Sequence, residues 1–322
     1  MVRKPQLCKG ANERICVMMS KLKKTPSYIR SAPAKLRVAF RCIRAPYFKW
    51  VAPGHFYSAL PDMDEVMRRS ETIWAPPPDT LAGIDLRSHN QAELLTHFQE
   101  YYTSPLPFER SSNPNSRFFR PNGSFPFQDA FGLYAMIRHL QPKCIIEVGC
   151  GASSCVTLDT CEALKLNTCL TFIDPYPELL LRLTRLEDRS RFDLKQAFIQ
   201  DVPEELFSSL SENDILFIDT SHVSKVGSDV NHIFFNILPA LKPGVVVHFH
   251  DIWYPFEYPK DWLYKGMFWN EAYLLRSFLM YNKLFEIVLF NNYLNRCMTD
   301  RIRSDFPLFL DDPGASLWIR RV

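Results

Sequence analysis

The sequence predicts an α/β fold in which a mostly parallel sheet of seven strands forms the centre of the main domain. Seven short apolar runs follow one another between residues 144 and 322, among them CIIEV, CLTFI and DILFI. Strands that crossover helices cover on both faces have this continuously apolar character. Helical segments such as SSCVTLDTCEAL and PEELFSSL lie between the first five runs. This alternation is typical of a parallel sheet, and we expect a small helical cap before it.

The last two apolar runs, FEIVLF (285–290) and SLWIRRV (316–322), depart from that alternation. About 25 residues separate them, and this connection contains no convincing helical pattern. We therefore expect the two runs to form an antiparallel hairpin at the edge of the sheet.

Composition and charge divide the chain into a basic arm (1–50), a cap region (51–126) and the sheet domain (127–322). The arm contains 13 Lys and Arg against the single acid Glu13, whereas the rest of the chain contains 25 Lys and Arg against 34 acids. Because the arm mixes cations with Leu, Phe and Trp, it can lie on anionic lipid, or it can be a solvated terminus. The acidic body has no nucleic-acid recognition motif, so nucleic acid is not an expected partner.

The sequence shows neither a membrane-spanning segment nor a signal peptide. No run approaches the roughly 18 apolar residues of a membrane span, and the start lacks the features of a signal peptide. Nine cysteines without C-x-x-C spacing indicate neither a disulfide framework nor a zinc site. We expect a cytoplasmic protein that can associate with membranes, and homo-oligomers remain an open alternative.

Acidic residues end the first five predicted strands: Glu147, Asp174, Asp201, Asp219 and Asp251. In open α/β sheets, ligands bind outside the carboxyl ends of the strands, so these acids should converge on one crevice. One such acid could simply cap a helix. Five acids in equivalent positions favour a binding site.

The turn Gly149-Cys150-Gly151 follows the first predicted strand and can be read in three ways. A dinucleotide fingerprint needs a third glycine, but Ser154 occupies that position. A plain strand-to-helix turn is the second interpretation. The third is a cradle for a sulfonium cofactor, because Glu147 would repel a pyrophosphate and attract a ligand that carries ammonium and sulfonium groups. Asp174 is placed to accept hydrogen bonds from ribose hydroxyls.

Longer segments carry a family resemblance. IIEVGCGASS, FIDPYP, DILFIDTSH and the closing hairpin resemble the class I S-adenosylmethionine-dependent methyltransferases, which have a Rossmann-like fold. PGHFYSALPD, DTSHVSKVGSDV and HFHDI are similar to the bacterial group of rhamnosyl O-methyltransferases and cephalosporin hydroxylase-like proteins. The resemblance extends from about residue 50 to the end of the chain.

This resemblance implies a set of contacts to S-adenosylmethionine. Its methionine part would be bound by Glu147, Gly149 and Gly151, with a looser match for Asp129 on the preceding helix. Asp174 would hold the ribose. Asp201 or its neighbour Gln200 would lie near the adenine.

The resemblance also implies Mg²⁺ or another divalent metal at the tips of the fourth and fifth strands. The residues there are Asp219, His250 and Asp251. His250 departs from the family pattern, since relatives often have a carboxylate or an amide at this position. Because Mg²⁺ prefers oxygen ligands, the identity of the metal and the inclusion of His250 stay open.

Two further groups of residues are candidates for catalysis and acceptor binding. His222, three residues after Asp219, could be a general base near neutral pH or a structural residue. His248 is expected to be a partnered core histidine. The aromatic segment 248–270 could cover the crevice, and its candidate acceptor contacts are Tyr254, Glu257, Tyr258 and Trp262.

The sequence thus favours an S-adenosylmethionine-dependent, metal-assisted O-methyltransferase that acts on a sugar or another small-molecule hydroxyl. One alternative is a dinucleotide-dependent oxidoreductase. Another is a catalytically silent binding protein that retains the methyltransferase fold.

Overall fold

The computed structural model describes residues 50–108 and 115–322, and the chain divides into two compact units after Arg68. In the first unit, the described residues contain the helix Met63–Arg68. The second unit, Arg69–Val322, contains the sheet. None of the helices in these two ranges is long and apolar enough to cross a membrane. Nearly all of the basic arm lies outside the described residues, so its lipid contact and the boundaries at 50 and 126 stay predictions.

The second unit is built on one seven-stranded sheet with the order β3-β2-β1-β4-β5-β7-β6. Its strands are β1 Cys144–Val148, β2 Cys169–Ile173, β3 Asp193–Lys195, β4 Ile215–Ile218, β5 Val246–Phe249, β6 Phe285–Phe290 and β7 Leu317–Arg321. The first five strands pair in parallel, and β7 pairs antiparallel with both β5 and β6. The predicted fold class, a mostly parallel Rossmann-like sheet with antiparallel C-terminal strands, is confirmed.

The central strands have no polar face, which explains why the sequence shows apolar runs rather than alternation. Ile145 on β1, Phe217 on β4 and Val247 on β5 are all buried. Two helices precede β1, Ser88–Tyr102 and Phe127–Leu140. The connections between the strands contain the helices Ala152–Ala163, Glu178–Leu183, Glu204–Ser208, Lys260–Tyr264 and Glu271–Leu279. Another helix begins as Asp229–His232, continues through a π-helical turn at Ile233–Ile237 and ends as Leu238–Ala240.

The connection between β6 and β7 differs from the prediction, because it contains three helices. They are Asn291–Cys297, Thr299–Asp305 and Leu308–Asp311. Each has seven residues or fewer, too short for a clear helical period in the sequence. Their aromatic residues Phe306 and Phe309 pack against Phe131, so tertiary contacts stabilise these helices.

The third strand is shorter than the run DLKQAFI suggested. β3 ends at Lys195, and the chain then enters a 3₁₀ turn at Ile199–Asp201. Asp201 therefore does not end a strand, and its predicted place in the row of acids is wrong. The other four acids do lie at the carboxyl ends of β1, β2, β4 and β5. The order of the strands reverses between β1 and β4, which is where open α/β sheets bind ligands.

Candidate functional site

Gly149 allows the end of β1 to approach the end of β4 closely. Its φ is +83°, and a Cβ atom at this position would lie 1.7 Å from the carbonyl oxygen of Asp219. Its N–H donates to the carbonyl oxygen of Ile173 at 2.9 Å, while the N–H of Asp219 donates to that of Val148 at 2.9 Å. A side chain here would push the two strand ends apart. Glycine is therefore required for the floor of the crevice.

Glu147 is fully buried on β1, and only one of its two carboxylate oxygens has a partner. Oε1 accepts hydrogen bonds from Ser153 Oγ at 2.5 Å and from Ser154 Oγ at 2.9 Å. Oε2 is buried and has no partner among the residues that the structure describes. Burial raises the pKa of Glu147 to about 8, although the two serines oppose the shift. Ser154, which breaks the dinucleotide fingerprint, thus holds the carboxylate in place, and Oε2 remains for a cationic group.

A cavity of about 460 Å³ opens beside the glycine turn. Its lining includes Gly149, Asp174, Tyr176, Gln200 and Asp219. Asp174 accepts backbone N–H groups from Cys150 at 3.0 Å and from Tyr176 at 2.7 Å, which fixes its carboxylate at the tip of β2. We call this space the first cavity.

Four of the predicted cofactor residues do not line the first cavity: Asp129, Glu147, Gly151 and Asp201. Gly151 lies behind the turn, where its N–H donates to Ser154 Oγ at 3.1 Å. Asp201 is exposed at the end of its 3₁₀ turn, whereas Gln200 lines the cavity and donates to the carbonyl oxygen of Gly227 at 2.8 Å. Of the two residues proposed for the adenine, Gln200 has the better position.

Asp129 is buried on the helix Phe127–Leu140 and connects that helix to β7. Its carboxylate accepts hydrogen bonds from the backbone N–H groups of Ala315 at 3.0 Å and Ser316 at 3.1 Å. It also accepts from Asn291 Nδ2 at 2.8 Å and lies 3.4 Å from Nε2 of His250. These contacts give Asp129 a structural role, and its role at the methionine end of the cofactor stays a prediction.

The tips of β4 and β5 bring together Asp219, His222 and Asp251. Nε2 of His222 lies 3.3 Å from Oδ1 of Asp219 and 3.8 Å from Oδ2 of Asp251. One ligand atom from each of the three residues lies within 4.8 Å of the others. We call these three residues the carboxylate–histidine cluster. Its donor set of two carboxylates and one imidazole is suited to a divalent metal.

Glu271 holds the other nitrogen of His222, and the sequence did not point to this residue. Its Oε2 lies 2.8 Å from Nδ1 of His222, and its side chain is almost fully buried. A carboxylate on one ring nitrogen, with the other nitrogen aimed at the site, is the usual arrangement of a metal-bound histidine. Glu271 follows His222 by 49 residues and lies on a different helix. The segment WNEAYLL was part of the family resemblance, but it indicated no role for its glutamate.

Two members of the cluster adopt backbone conformations that are unusual for residues other than glycine. His222 has a φ of +57° and Asp251 has a φ of +56°. Left-handed conformations of this kind cost about 1 to 3 kcal/mol each and concentrate at functional sites. The fold therefore accepts strain to direct both side chains into the same place.

His250 lies beneath the cluster, and its side chain is 3% exposed. Its Nδ1 is 3.5 Å from Oδ1 of Asp219 and 3.5 Å from Oδ2 of Asp251. Burial opposes a charge on this ring, but the carboxylates of Asp251 and Asp219 raise the pKa of His250 well above its usual value. The structure thus brings His250 to the predicted metal residues, and its role as a ligand stays a prediction.

The two carboxylates beside His222 favour the protonated form of its ring. Burial opposes the charge, but Asp219 and Glu271 raise the pKa of His222 to about 10. A general base must be neutral before it accepts a proton. A metal ion between the same carboxylates would displace this proton, because metal ligands bind in their deprotonated form.

His248 lies in the core as expected, with a partner on Nε2, whereas its Nδ1 is buried without a partner among residues 50–108 and 115–322. Its Nε2 lies 2.8 Å from Ser316 Oγ, and its ring stacks on Phe217 with 3.8 Å between the centroids. Burial lowers the pKa of His248 to about 3, so the ring is neutral.

Of the four predicted acceptor contacts, only Trp262 lines a cavity near the cluster. The buried hydroxyl of Tyr254 donates to the carbonyl oxygen of Pro78, and the hydroxyl of Tyr258 accepts from the N–H of Ala272 at 3.1 Å. Glu257 accepts from the hydroxyl of Tyr273. The cavity that Trp262 lines has a volume of about 310 Å³ and also borders Asp251. We call it the second cavity.

Comparison with known proteins finds a family match for the segment that contains Glu147, Asp174 and the carboxylate–histidine cluster, but not Glu271 or Trp262. The family model of the methyltransferase domain matches residues 146–252. An uncharacterized protein of Archaeoglobus fulgidus is 33% identical over 168 residues, which cover 51% of this chain and 75% of that protein. Among solved structures, the SAH-bound methyltransferase PaMTH1 of Podospora anserina is 15% identical, with 81% of this chain and 95% of that chain covered and a TM-score of 0.40. The apo structure of CmcI is 16% identical, with 77% and 90% covered and a TM-score of 0.39.

Proposed function

Because the chain belongs to the class I S-adenosylmethionine-dependent methyltransferases, we propose that it methylates a hydroxyl oxygen of a sugar or another small molecule with the help of a divalent metal. The observation that carries the proposal is the position of the carboxylate–histidine cluster. Asp219 borders the first cavity, and Asp251 borders the second. The cluster therefore lies between a space for the cofactor and a space for the acceptor.

The first cavity suits S-adenosylmethionine better than a dinucleotide. Glu147 does not line this cavity, but it lies two residues before Gly149, and its buried Oε2, which has no partner among the described residues, is a site for an ammonium group. Asp174 stands at the tip of β2, where nucleotide-binding folds place an acid for the ribose hydroxyls. Gln200 supplies an amide on the wall where the adenine would lie. The pyrophosphate of a dinucleotide offers no cationic group to Glu147, which disfavours the oxidoreductase alternative.

The cluster fits a divalent metal held by Asp219, His222 and Asp251, with Glu271 fixing the tautomer of the imidazole. An imidazole ligand favours a transition ion such as Mn²⁺ over Mg²⁺, which prefers oxygen ligands only. When bound, the ion would polarise the acceptor hydroxyl and lower its pKa. The chain itself must supply the alignment of the two substrates.

Alignment is the main contribution that we assign to the protein. The methyl group of a sulfonium is already activated, so the reaction needs an acceptor oxygen in line with the carbon–sulfur bond. Correct positioning can supply roughly 7 to 11 kcal/mol of the barrier. The close approach of Gly149 to Asp219 fixes the cofactor turn against the cluster. The acceptor proton leaves either to solvent or to Nε2 of His222, and the second route makes this residue a base rather than a ligand.

Binding and turnover measurements on the purified protein test the proposal. We expect S-adenosylhomocysteine to bind in the presence of a chelator, NAD⁺ not to bind, and methyl transfer to require a divalent ion. His222→Ala should abolish Mn²⁺ binding if the residue is a ligand, and should abolish only turnover if it is a base. His89→Ala is the control, because His89 is exposed outside the site. Tight binding of NAD⁺ without binding of S-adenosylhomocysteine would overturn the assignment, and binding without any turnover would favour the silent protein.

A further inference from the structure

The second cavity borders the carboxylate–histidine cluster at Asp251. It is lined by the turn 120–126, by Asp129 and Asp251, by Trp253 and Trp262, and by residues 312, 313 and 315. None of these residues lines the first cavity. The two spaces are therefore separate, and the carboxylates of the cluster are divided between them.

We propose that the second cavity is the acceptor site and that it is built for a single hydroxylated ring, as in one monosaccharide unit, seated against Trp253 and Trp262. This inference rests on the proposed methyl transfer and adds to it the residues and the shape of the acceptor. Asp251 is the point at which such a ring would reach the metal ligands.

Size limits what the cavity can hold. Its volume of about 310 Å³ lies at the lower end of the range of roughly 300 to 1,000 Å³ that small-molecule sites occupy. One six-membered ring with its substituents can be enclosed. A nucleotide or a long acyl chain would have to remain largely outside, so the enclosed part of the acceptor is one ring.

The aromatic walls suit a ring with apolar faces. The rings of Trp253 and Trp262 are nearly perpendicular, at 86°, with their centroids 5.8 Å apart. Each therefore offers a differently oriented surface to the same space. The indole N–H of Trp253 is buried and has no hydrogen-bond partner among residues 50–108 and 115–322. A buried donor of this kind calls for an acceptor, and a ligand hydroxyl can supply it.

The lining includes the carboxylates of Asp129, Asp251 and Asp312, which accept hydrogen bonds only, together with the polar residues Arg120, Asn122 and Ser124. Asp312 Oδ2 already receives the N–H of Phe127 at 2.8 Å, and it keeps further lone pairs for a ligand. A hydroxyl group can donate to Asp312 or Asp251 and can accept from Trp253. A sugar ring carries several such groups around its rim and C–H groups on its faces. A flat phenol would stack on the indoles, but it would have fewer hydroxyls for these partners.

The wall opposite the tryptophans is held rigidly. Asn122 Oδ1 accepts the N–H of Phe125 at 2.7 Å, and its Nδ2 donates to the carbonyl oxygens of Phe119 and Phe125 at 3.0 Å. The preceding segment is fixed by Arg117, whose guanidinium bonds to the buried Asp159 and Asp188. A pre-formed wall lowers the ordering cost of ligand binding.

Saturation-transfer NMR with methyl glycosides, and with catechol as the flat comparison, tests the inference on protein saturated with S-adenosylhomocysteine and Zn²⁺, a diamagnetic ion that accepts imidazole and carboxylate ligands. We expect at least one glycoside to bind more tightly than catechol. Trp262→Ala and Asp312→Asn should each weaken it about tenfold, while Trp50→Ala, an exposed tryptophan of the first unit, should not. The proposed acceptor site would be overturned if Trp262→Ala and Asp312→Asn kept the glycoside affinity of the wild type. It would also be overturned if the protein preferred catechol or bound no glycoside.

The cofactor separates this failure from failure of the proposed function. Calorimetry of S-adenosylhomocysteine is carried out on every variant, and its affinity should stay within twofold of the wild type, because the substituted residues do not line the first cavity. Intact cofactor binding without glycoside binding rejects only the acceptor site. Loss of cofactor binding in the wild-type protein rejects the methyltransferase function itself.

Discussion

Replacement of Glu271 by glutamine tests whether His222 is held as a metal ligand. The carboxylate of Glu271 contacts Nδ1 of His222 at 2.8 Å, and Nε2 of the same ring faces Asp219 and Asp251. Glutamine has the same shape and keeps one acceptor oxygen, so the geometry can be retained. What it removes is the negative charge behind the imidazole, which strengthens both the hydrogen bond and the basicity of the ring.

The expected magnitude follows from the place of Glu271 behind the ligand. Loss of a partner that orients a metal-bound histidine typically lowers metal affinity by 10- to 100-fold, or about 1.4 to 2.8 kcal/mol. We expect Glu271→Gln to lower the metal affinity by an amount in this range, because Nδ1 of His222 contacts Oε2 of Glu271 in the structure. Glu271 also pairs with the buried ring of His222, so the substitution should lower stability as well, and the melting curve of the variant is recorded beside its metal affinity.

Electron paramagnetic resonance of Mn²⁺ provides the assay, with free and bound ion measured over a titration at pH 7.5. Glu286→Gln serves as the matched control, because Glu286 pairs with Arg87 at 2.7 Å and is not part of the cluster. Mn²⁺ affinity of Glu271→Gln within twofold of the wild type, in a protein whose melting curve shows it folded at the assay temperature, would refute the view that His222 is a ligand positioned by Glu271.

Three further predictions concern the cofactor turn and the support of the fold. Gly149→Ala should lower the affinity for S-adenosylhomocysteine at least tenfold in calorimetry, because the added Cβ would meet a backbone oxygen at 1.7 Å. Gly266→Ala is the control: Gly266 has a φ of +85° but open space around it, so the substitution should cost only about 1 kcal/mol of stability from the backbone. Since burial raises the pKa of Glu147 to about 8, the cofactor-free wild type should lose stability relative to Glu147→Gln as pH rises from about 4.5 to 8. At pH 7 the binding of the cofactor should release a proton from Glu147. The binding enthalpy of the wild type should then depend on the buffer, and that of Glu147→Gln should not. Equal binding enthalpies of the wild type in all buffers would contradict the proton release. Arg117→Met should cost about 3 to 5 kcal/mol in urea unfolding, because it leaves Asp159 and Asp188 as unpaired buried charges, and a cost below 1 kcal/mol would contradict this.

Residues whose role depends on local sequence could be predicted, and residues that meet through the fold could not. Gly149, Asp174 and Asp219 directly follow apolar strands, so their positions at the carboxyl edge were readable from the sequence. The predicted position of Asp201 at the end of a strand was wrong, because an apolar run does not show where a strand ends and a 3₁₀ turn begins. Glu271 meets His222 across 49 residues, and no pattern near either residue signals that contact.

Aromatic residues posed a different difficulty, because an aromatic segment looks the same whether its rings fill a core or line a cavity. Tyr254 and Tyr258 have 1% exposed surface and use their hydroxyls to hold neighbouring backbone. Trp253 and Trp262, in the same segment, line the second cavity. Only the packing of distant elements such as the turn 120–126 decides between these outcomes. The C-terminal helices were missed for a related reason, since each is too short to show a period.

The two histidines of the site differ in what holds them. His250 is buried among Asp129, Asp219 and Asp251, and its role as a ligand stays a prediction. His222 has Glu271 on Nδ1, while its Nε2 faces Asp219 and Asp251, which supports the proposed ligand role of His222. Four carboxylates surround two imidazoles, which leaves excess negative charge even with both rings protonated. That excess favours a divalent cation at the cluster and a sulfonium in the first cavity beside it.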